Sequence, residues 1–245
     1  HAQGVPILAQ ISHAGSAAHR AITGQEVISA SAVPNPSRAA AVHGQPEFPR
    51  EMTQGDIQCI IQAFVDAAAR AQQAGYDGVE IHSAHGYLLD QFYSPLTNRR
   101  TDDYTGRTLE GRTRLQVEII QAIRRRLGKD FVLSLRLGGS DYMDGGAVCA
   151  EVGQAAKLFE AAGLDMLSLS GGMSFFFRPG HTEAGYFAEL AEAAKTGTTL
   201  PVMLTGGIAD GAEAETFLEK GQADSSASDG QHSGTNQIYQ KILSM

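Results

Sequence analysis

Between residues 52 and 221 one unit recurs: a helix with an apolar stripe, a glycine, then a short apolar strand. The first copy shows how it is encoded. Thr53 and Asp56 have the N-cap and N3 spacing of a capping box. Ile57, Ile60, Ile61, Phe64, Val65, Ala68 and Ala71 follow in steps of three and four, the pattern of a helix buried on one face. Gly75 offers a left-handed stop, and the strand 78–82 follows. The unit returns as helix 108–127, Gly128 and strand 131–137, and again as helix 150–162, Gly163 and strand 165–170. A further copy runs through helix 183–196, Gly197 and strand 201–205, and a last helix, 210–220, ends at Gly221. Residues 5–11 supply one more strand in front. Strands alternating with helices of this length specify βαβ units and a parallel sheet.

The chain's 245 residues approach the roughly 250 of a complete eight-stranded (β/α) barrel. The readable strands number only five, so the expected fold is α/β, a partial barrel over 1–221. Residues 15–50, rich in Ala, Pro, Ser and Gly, form a long excursion expected to hold short hairpins. Residues 222–236 have almost no apolar content, and no buried barrel strand is expected there. The span 222–245 therefore reads as a polar or aberrant tail, with a short helix at 237–244. A chain opening on His1 is expected to be a fragment.

Lys and Arg total 19 against 27 Asp and Glu, a formal charge of −8 that argues against a broad nucleic-acid or anionic-membrane footprint. No apolar run reaches membrane-spanning length. Cys59 and Cys149 form no CxxC pair, which argues against a structural zinc or iron–sulfur site and fits a reducing, cytoplasmic compartment. A homo-oligomer is compatible with the exposed edges of an open sheet.

Chemistry collects at the strand ends, where parallel barrels carry their sites. The first strand ends in Gln10 and His13, the second in His82, His85 and Tyr87; the third contains Arg136. The fourth leads to Gly171-Gly172 and the fifth to Gly206-Gly207. Arg136 in an apolar strand needs an anionic or carbonyl partner, either Glu80 in a structural ion pair or an electron-rich ligand edge. His13, His82 and His85 are alternatively metal ligands of a barrel hydrolase, although the usual carboxylate ligand is misplaced for that. Glycine pairs admit close backbone approach to a phosphate, or simply make tight turns. Phe175, Phe176 and Phe177 form either a pocket lid or loop packing.

The run His82-Ser83-Ala84-His85-Gly86-Tyr87-Leu88-Leu89-Asp90-Gln91-Phe92, continued by Ser94-Pro95-Leu96-Thr97-Asn98-Arg99-Arg100-Thr101-Asp102-Asp103-Tyr104, resembles the signature of the old yellow enzyme family. Gln10-Ile11-Ser12-His13-Ala14-Gly15 resembles the family's third-strand motif, and the two glycine pairs its sixth and seventh strand ends. The histidine pair is similar to the branch of 2,4-dienoyl-CoA reductases and enoate reductases. The resemblance implies a TIM barrel with FMN, reduced by NADH or NADPH, acting on a small-molecule activated alkene. It implies Gln10 at the flavin pyrimidine edge, Arg136 at N1/O2, and Gly171, Gly172, Gly206 and Gly207 near the phosphate. His82 and His85 would bind the substrate carbonyl oxygen, and Tyr87, a phenol that keeps its proton at neutral pH, would protonate the α-carbon. No metal is implied. The chain departs from the family by lacking its first two strands, the Gly-Arg pair of strand eight, and the iron–sulfur cysteines of the branch. A truncated chain that cannot hold flavin is therefore the alternative reading.

Overall fold

The structure is a computed structural model and describes residues 1–41 and 47–227. Six parallel strands make one sheet in the order β1-β4-β5-β6-β7-β8: β1 (Leu8–Ile11), β4 (Gly78–Ser83), β5 (Val132–Ser140), β6 (Met166–Gly171), β7 (Val202–Leu204) and β8 (Ser225–Ser226). Helices α3 (Gln54–Gln73), α5 (Leu109–Leu127), α6 (Val152–Ala162) and α7 (Ala188–Lys195) pack side by side over one face, and α8 (Gly211–Glu219) leads into β8. The expected capping box is present, with Thr53 Oγ1 accepting from Asp56 N–H. Gly75, Gly128, Gly163 and Gly221 all hold positive φ after their helices. Gly197 does not; it is needed instead because a Cβ there would overlap the Gly153 carbonyl. Helix α7 also starts five residues later than the expected 183, because Gly185 turns the chain at φ 70 first.

The sheet divides its residues by chemistry. Successive side chains alternate between faces. Val79, Ile81, Leu133, Leu135, Leu137, Leu167, Leu169, Val202 and Leu204 join the helices in the main core. The alternate positions are mostly polar, and the register sets Gln10 beside Glu80, Glu80 beside Ser134, His82 beside Arg136 and Arg136 beside Ser168. A fully buried parallel sheet is normally apolar on both faces. This one lays a polar row across the face away from the helices, and the site grows from that row.

Two expectations fail. The segment after Gly221 does form a buried strand: Met203 pairs with Ser225 and Leu204 with Ser226, and both serines are almost fully buried. The pairing needs no large side chain, because the backbone supplies it, with Asp224 N–H to Val202 O at 2.9 Å and Ala227 N–H to Leu204 O at 2.9 Å. Asp224 Oδ2 also accepts Val202 N–H at 3.0 Å. Asp77 does the same for Ile7 N–H, and Asp165 for Leu133 N–H, so an aspartate two or three residues beyond a helix-ending glycine introduces the next strand in each case. The remainder of the expected tail and the 237–244 helix lie outside the described residues.

Among its described residues the excursion contains no hairpin. It holds two one-turn helices, α1 (Arg20–Thr23) and α2 (Arg38–Ala41), and a two-residue ladder between β2 (Ile28–Ser29) and β3 (Arg50–Glu51) that is parallel. The chain returns through α2 before pairing, so both strands run the same way, which a tight hairpin cannot do. Polar side chains fasten it to the segment after β4, where α4 (Leu88–Tyr93) lies. Gln91 Oε1 accepts from Ser16 N–H and from Ser29 Oγ, each at 3.0 Å, and Arg100 Nη1 donates to Ala30 O and Met52 O.

Candidate active site

A cavity of about 500 Å³ opens on the polar row, lined by Gln10, His82, His85, Tyr87, Arg136, Phe175 and Phe176. Thus Gln10, His82, His85, Tyr87 and Arg136 converge as expected, from three adjacent strands and the turn after β4. The ring of His82 stands 4.9 Å from that of His85 and 5.3 Å from that of Tyr87, centroid to centroid. Phe175 meets His85 edge-on at 5.4 Å. Two of the three phenylalanines therefore form a cavity wall, while Phe177 packs at a tilt against Phe176 and lies under Arg38.

The turn after β4 is over-determined. His85 holds φ 62 and Gly86 φ 74. Asn35 Nδ2 donates to Gly86 O at 2.9 Å, Ser37 Oγ to His85 O at 3.2 Å, and His85 N–H to Gly171 O at 3.2 Å. A Cβ on Gly86 would overlap Ser37. A left-handed histidine costs free energy that only such surroundings retain.

Charges in the cavity are poorly paired. Arg136 does not bridge to Glu80. Glu80 instead accepts Gln10 Nε2–H at 2.7 Å and Ser134 Oγ–H at 3.3 Å, which fixes the Gln10 amide. Arg136 is left with one long hydrogen bond, Nη2 to Ser170 Oγ at 3.4 Å, and its buried Nε has no partner among the described residues. Both nitrogens of His82 are likewise buried and unpartnered. Orphaned buried polar groups are costly and point to missing partners. Burial, and then the Arg136 charge, depress His82 to about 4. Burial, His82 and Arg136 depress His85 to about 2. Both imidazoles are neutral at physiological pH. Ser170 Oγ accepts from Arg136 Nη2 and also lies 2.8 Å from His85 Nε2, where the direction of the bond follows the His85 tautomer.

The other expected site residues sit elsewhere. His13 turns back to accept Gly15 N–H on Nδ1, and no group of three or more His, Cys, Asp or Glu among the described residues is placed to hold a metal. The ligand set of a histidine-based hydrolase is therefore not assembled. Gly171 and Gly172 are not among the residues lining the cavity, and Gly172 N–H is spent on Ser140 O at 2.8 Å. Gly206 and Gly207 face the Tyr186 ring, which a Cβ on either would strike. The supporting residues Asn35, Ser37, Glu80 and Ser170 were not singled out for the roles they take, though Glu80 and Ser170 share strand faces with Gln10 and Arg136, a signal that period-two alternation carries.

Residues 1–226 match the NADH:flavin oxidoreductase / NADH oxidase family. The chain belongs to that family. Its members use FMN and NAD(P)H. The chain is 40% identical over 229 residues to the NADH oxidase of Thermoanaerobacter brockii, a match covering 91% of this chain and 34% of that protein. A 2-naphthoyl-CoA reductase in complex with 2-naphthoyl-CoA superposes with a TM-score of 0.80 at 31% identity, covering 91% of this chain and 35% of that one. An old yellow enzyme homologue from Zymomonas mobilis shares the fold, with a TM-score of 0.80 at 24% identity over the whole of this chain and 68% of its own. The chain spans about a third of the length of the first curated relatives it matches. Among the described residues no helix is long and apolar enough to cross a membrane.

Proposed function

We propose that the cavity is the ring pocket of an FMN-dependent oxidoreductase that passes hydride from NAD(P)H to an activated alkene. The observation that carries this is the set of unsatisfied polar groups on residues lining one cavity: Arg136 Nε and both His82 nitrogens, one a donor and one an acceptor in the neutral ring, with the oriented Gln10 amide beside them. Those groups fit the electron-rich edge of a flavin ring and a substrate carbonyl. Bound FMN supplies the hydride relay.

The residues then divide the work. Gln10 and Arg136 hold the pyrimidine edge, Gln10 by its amide and Arg136 by a charge that it cannot shed. His82 and His85, being neutral, act as N–H donors that bind an enone oxygen without carrying it off as an ion pair. As charge develops on that oxygen, two preorganised donors stabilise it. Tyr87 delivers the proton to the α-carbon. Phe175 and Phe176 close the apolar side against water.

The test is anaerobic turnover of the FMN-loaded chain with 2-cyclohexenone. One NAD(P)H disappears per C=C reduced, and the ketone survives. If added enone is recovered intact while NAD(P)H is consumed, the alkene reading is wrong.

A further inference from the structure

Three non-glycine residues among the described ones hold positive φ: His85 at 62°, Tyr142 at 49° and Phe175 at 69°. Strained backbone of this kind persists only where its surroundings fix it. All three turns are fastened to two buried carboxyls. Asp90, in the first turn of α4, accepts Gly86 N–H on Oδ2 at 2.7 Å, directly after His85. Asp141, at the end of β5 and directly before Tyr142, accepts Met173 N–H on Oδ1 at 2.9 Å, two residues before Phe175. Its Oδ2 accepts Ala147 N–H at 2.7 Å and Ser94 Oγ–H at 2.5 Å. Both aspartates have no exposed surface. Their Oδ1 atoms approach Gly172 from two sides: a Cβ there would overlap Asp141 Oδ1 and lie 3.3 Å from Asp90 Oδ1. Only glycine leaves room for the two carboxyls, which gives Gly172 a task other than binding phosphate.

We propose that Asp90 and Asp141 are positioning residues, a buried pair of one carboxylic acid and one carboxylate that clamps the His85–Tyr87 turn to the Phe175–Phe176 loop. The functional consequence rests on the reading of the cavity as the reactive site. The hydrogen bonds say where the proton sits. Burial raises the Asp141 acid too, but both its oxygens accept hydrogen bonds, from Met173, Ala147 and Ser94, which favour the carboxylate. Asp90 has one donor, and its Oδ1 is buried without a partner among the described residues. Two bare carboxylates side by side in a dry interior are costly. Burial first, and then Asp141, push the Asp90 acid well above the usual carboxylate range, so Asp90 carries the proton. The other charged and titratable neighbours agree with one net negative charge. Arg112 on α5 faces Asp141 and is itself paired to Glu151, and the buried phenol of Tyr93 stays neutral.

The sign of the pH effect is the reverse of an ordinary ion-paired aspartate. An acid raised on folding contributes stability that is full below its unfolded value and is lost as pH rises through its folded value. Asp90→Asn removes that slope while keeping an oxygen for Gly86 N–H, so the variant outlasts the wild type in urea as pH rises. Infrared spectroscopy of the whole chain at neutral pH tests the proton directly. The wild type shows the carbonyl stretch of a buried protonated carboxyl, and Asp90→Asn lacks it. Absence of the band in the wild type, or its survival in Asp90→Asn, overturns the assignment. The clamp is tested by 15N-histidine NMR: Asp90→Asn retains the wild-type His85 ring signals and Asp90→Ala shifts them. Unshifted His85 signals in Asp90→Ala overturn the clamp; should Asp90→Ala fail to fold, the infrared comparison with Asp90→Asn still decides. Neither readout uses flavin, so the pair stands or falls separately from the function proposed for the cavity.

Discussion

Tyr87→Phe slows alkene reduction by about 10²–10⁴-fold, the usual contribution of a positioned general acid, and leaves reduction of the bound flavin by NAD(P)H unchanged. The separation is expected because the ring and the hydroxyl of Tyr87 have different tasks. The side chain packs against the cluster of Ala17, Ala39 and Ala40, contacts that phenylalanine keeps. The hydroxyl has no hydrogen-bond partner among the described residues, so its loss orphans nothing, and stability changes by no more than about 0.5 kcal/mol. Stopped-flow measurement of the two half-reactions separates the effects. Equal slowing of both halves would remove the acid role and leave Tyr87 as a wall of the cavity.

Arg136→Leu has the other large effect. A unit charge about 4 Å from a developing charge is worth about 4 kcal/mol at an effective dielectric near 20, an upper figure. Affinity for reduced FMN therefore falls by about 10²–10³-fold, and affinity for oxidised FMN by less, since the oxidised ring carries no net charge at that edge. The same substitution also changes the acid response. In the wild type the His82 imidazole titrates at about 4 when folded and near 6.5 when unfolded. The unfolded chain binds more protons between those values, so stability falls as pH drops from 6.5 to 4, by about 3 kcal/mol for this group. Removing Arg136 takes away the second cause of the shift but not the first, burial, so His82 rises part of the way and the acid loss shrinks. Urea unfolding across that pH range measures the change. An identical pH slope in wild type and variant would mean that Arg136 and His82 do not interact.

The sequence made the scaffold legible because local chemistry and tertiary packing agree. The stripe from Ile57 to Ala71, the capping box at Thr53 and the glycine stops each fix one element without reference to the rest. The cavity was legible for a related reason: Gln10, His82 and Arg136 are polar residues at inward positions of apolar strands, and register alone brings them together. What stayed hidden depends on partners far apart in sequence. Ser225 and Ser226 carry no apolar signal, and their strand exists through backbone pairing introduced by Asp224. Glu80 was one option for Arg136 and turned out to orient Gln10. The Asp90–Asp141 pair spans two elements and has no spacing to betray it. Much of the signature segment proved to be anchorage: Gln91 and Arg100 fasten the excursion against the turn that carries His85 and Tyr87.

The central claim, that this polar face receives FMN, is tested most directly by titrating the purified chain with FMN and separating bound from free flavin. The expected result is one FMN retained per chain, visible as flavin absorbance travelling with the protein, and lost in large part in Arg136→Leu. A colourless wild-type chain that retains no FMN would contradict it and leave the truncated, inactive reading standing.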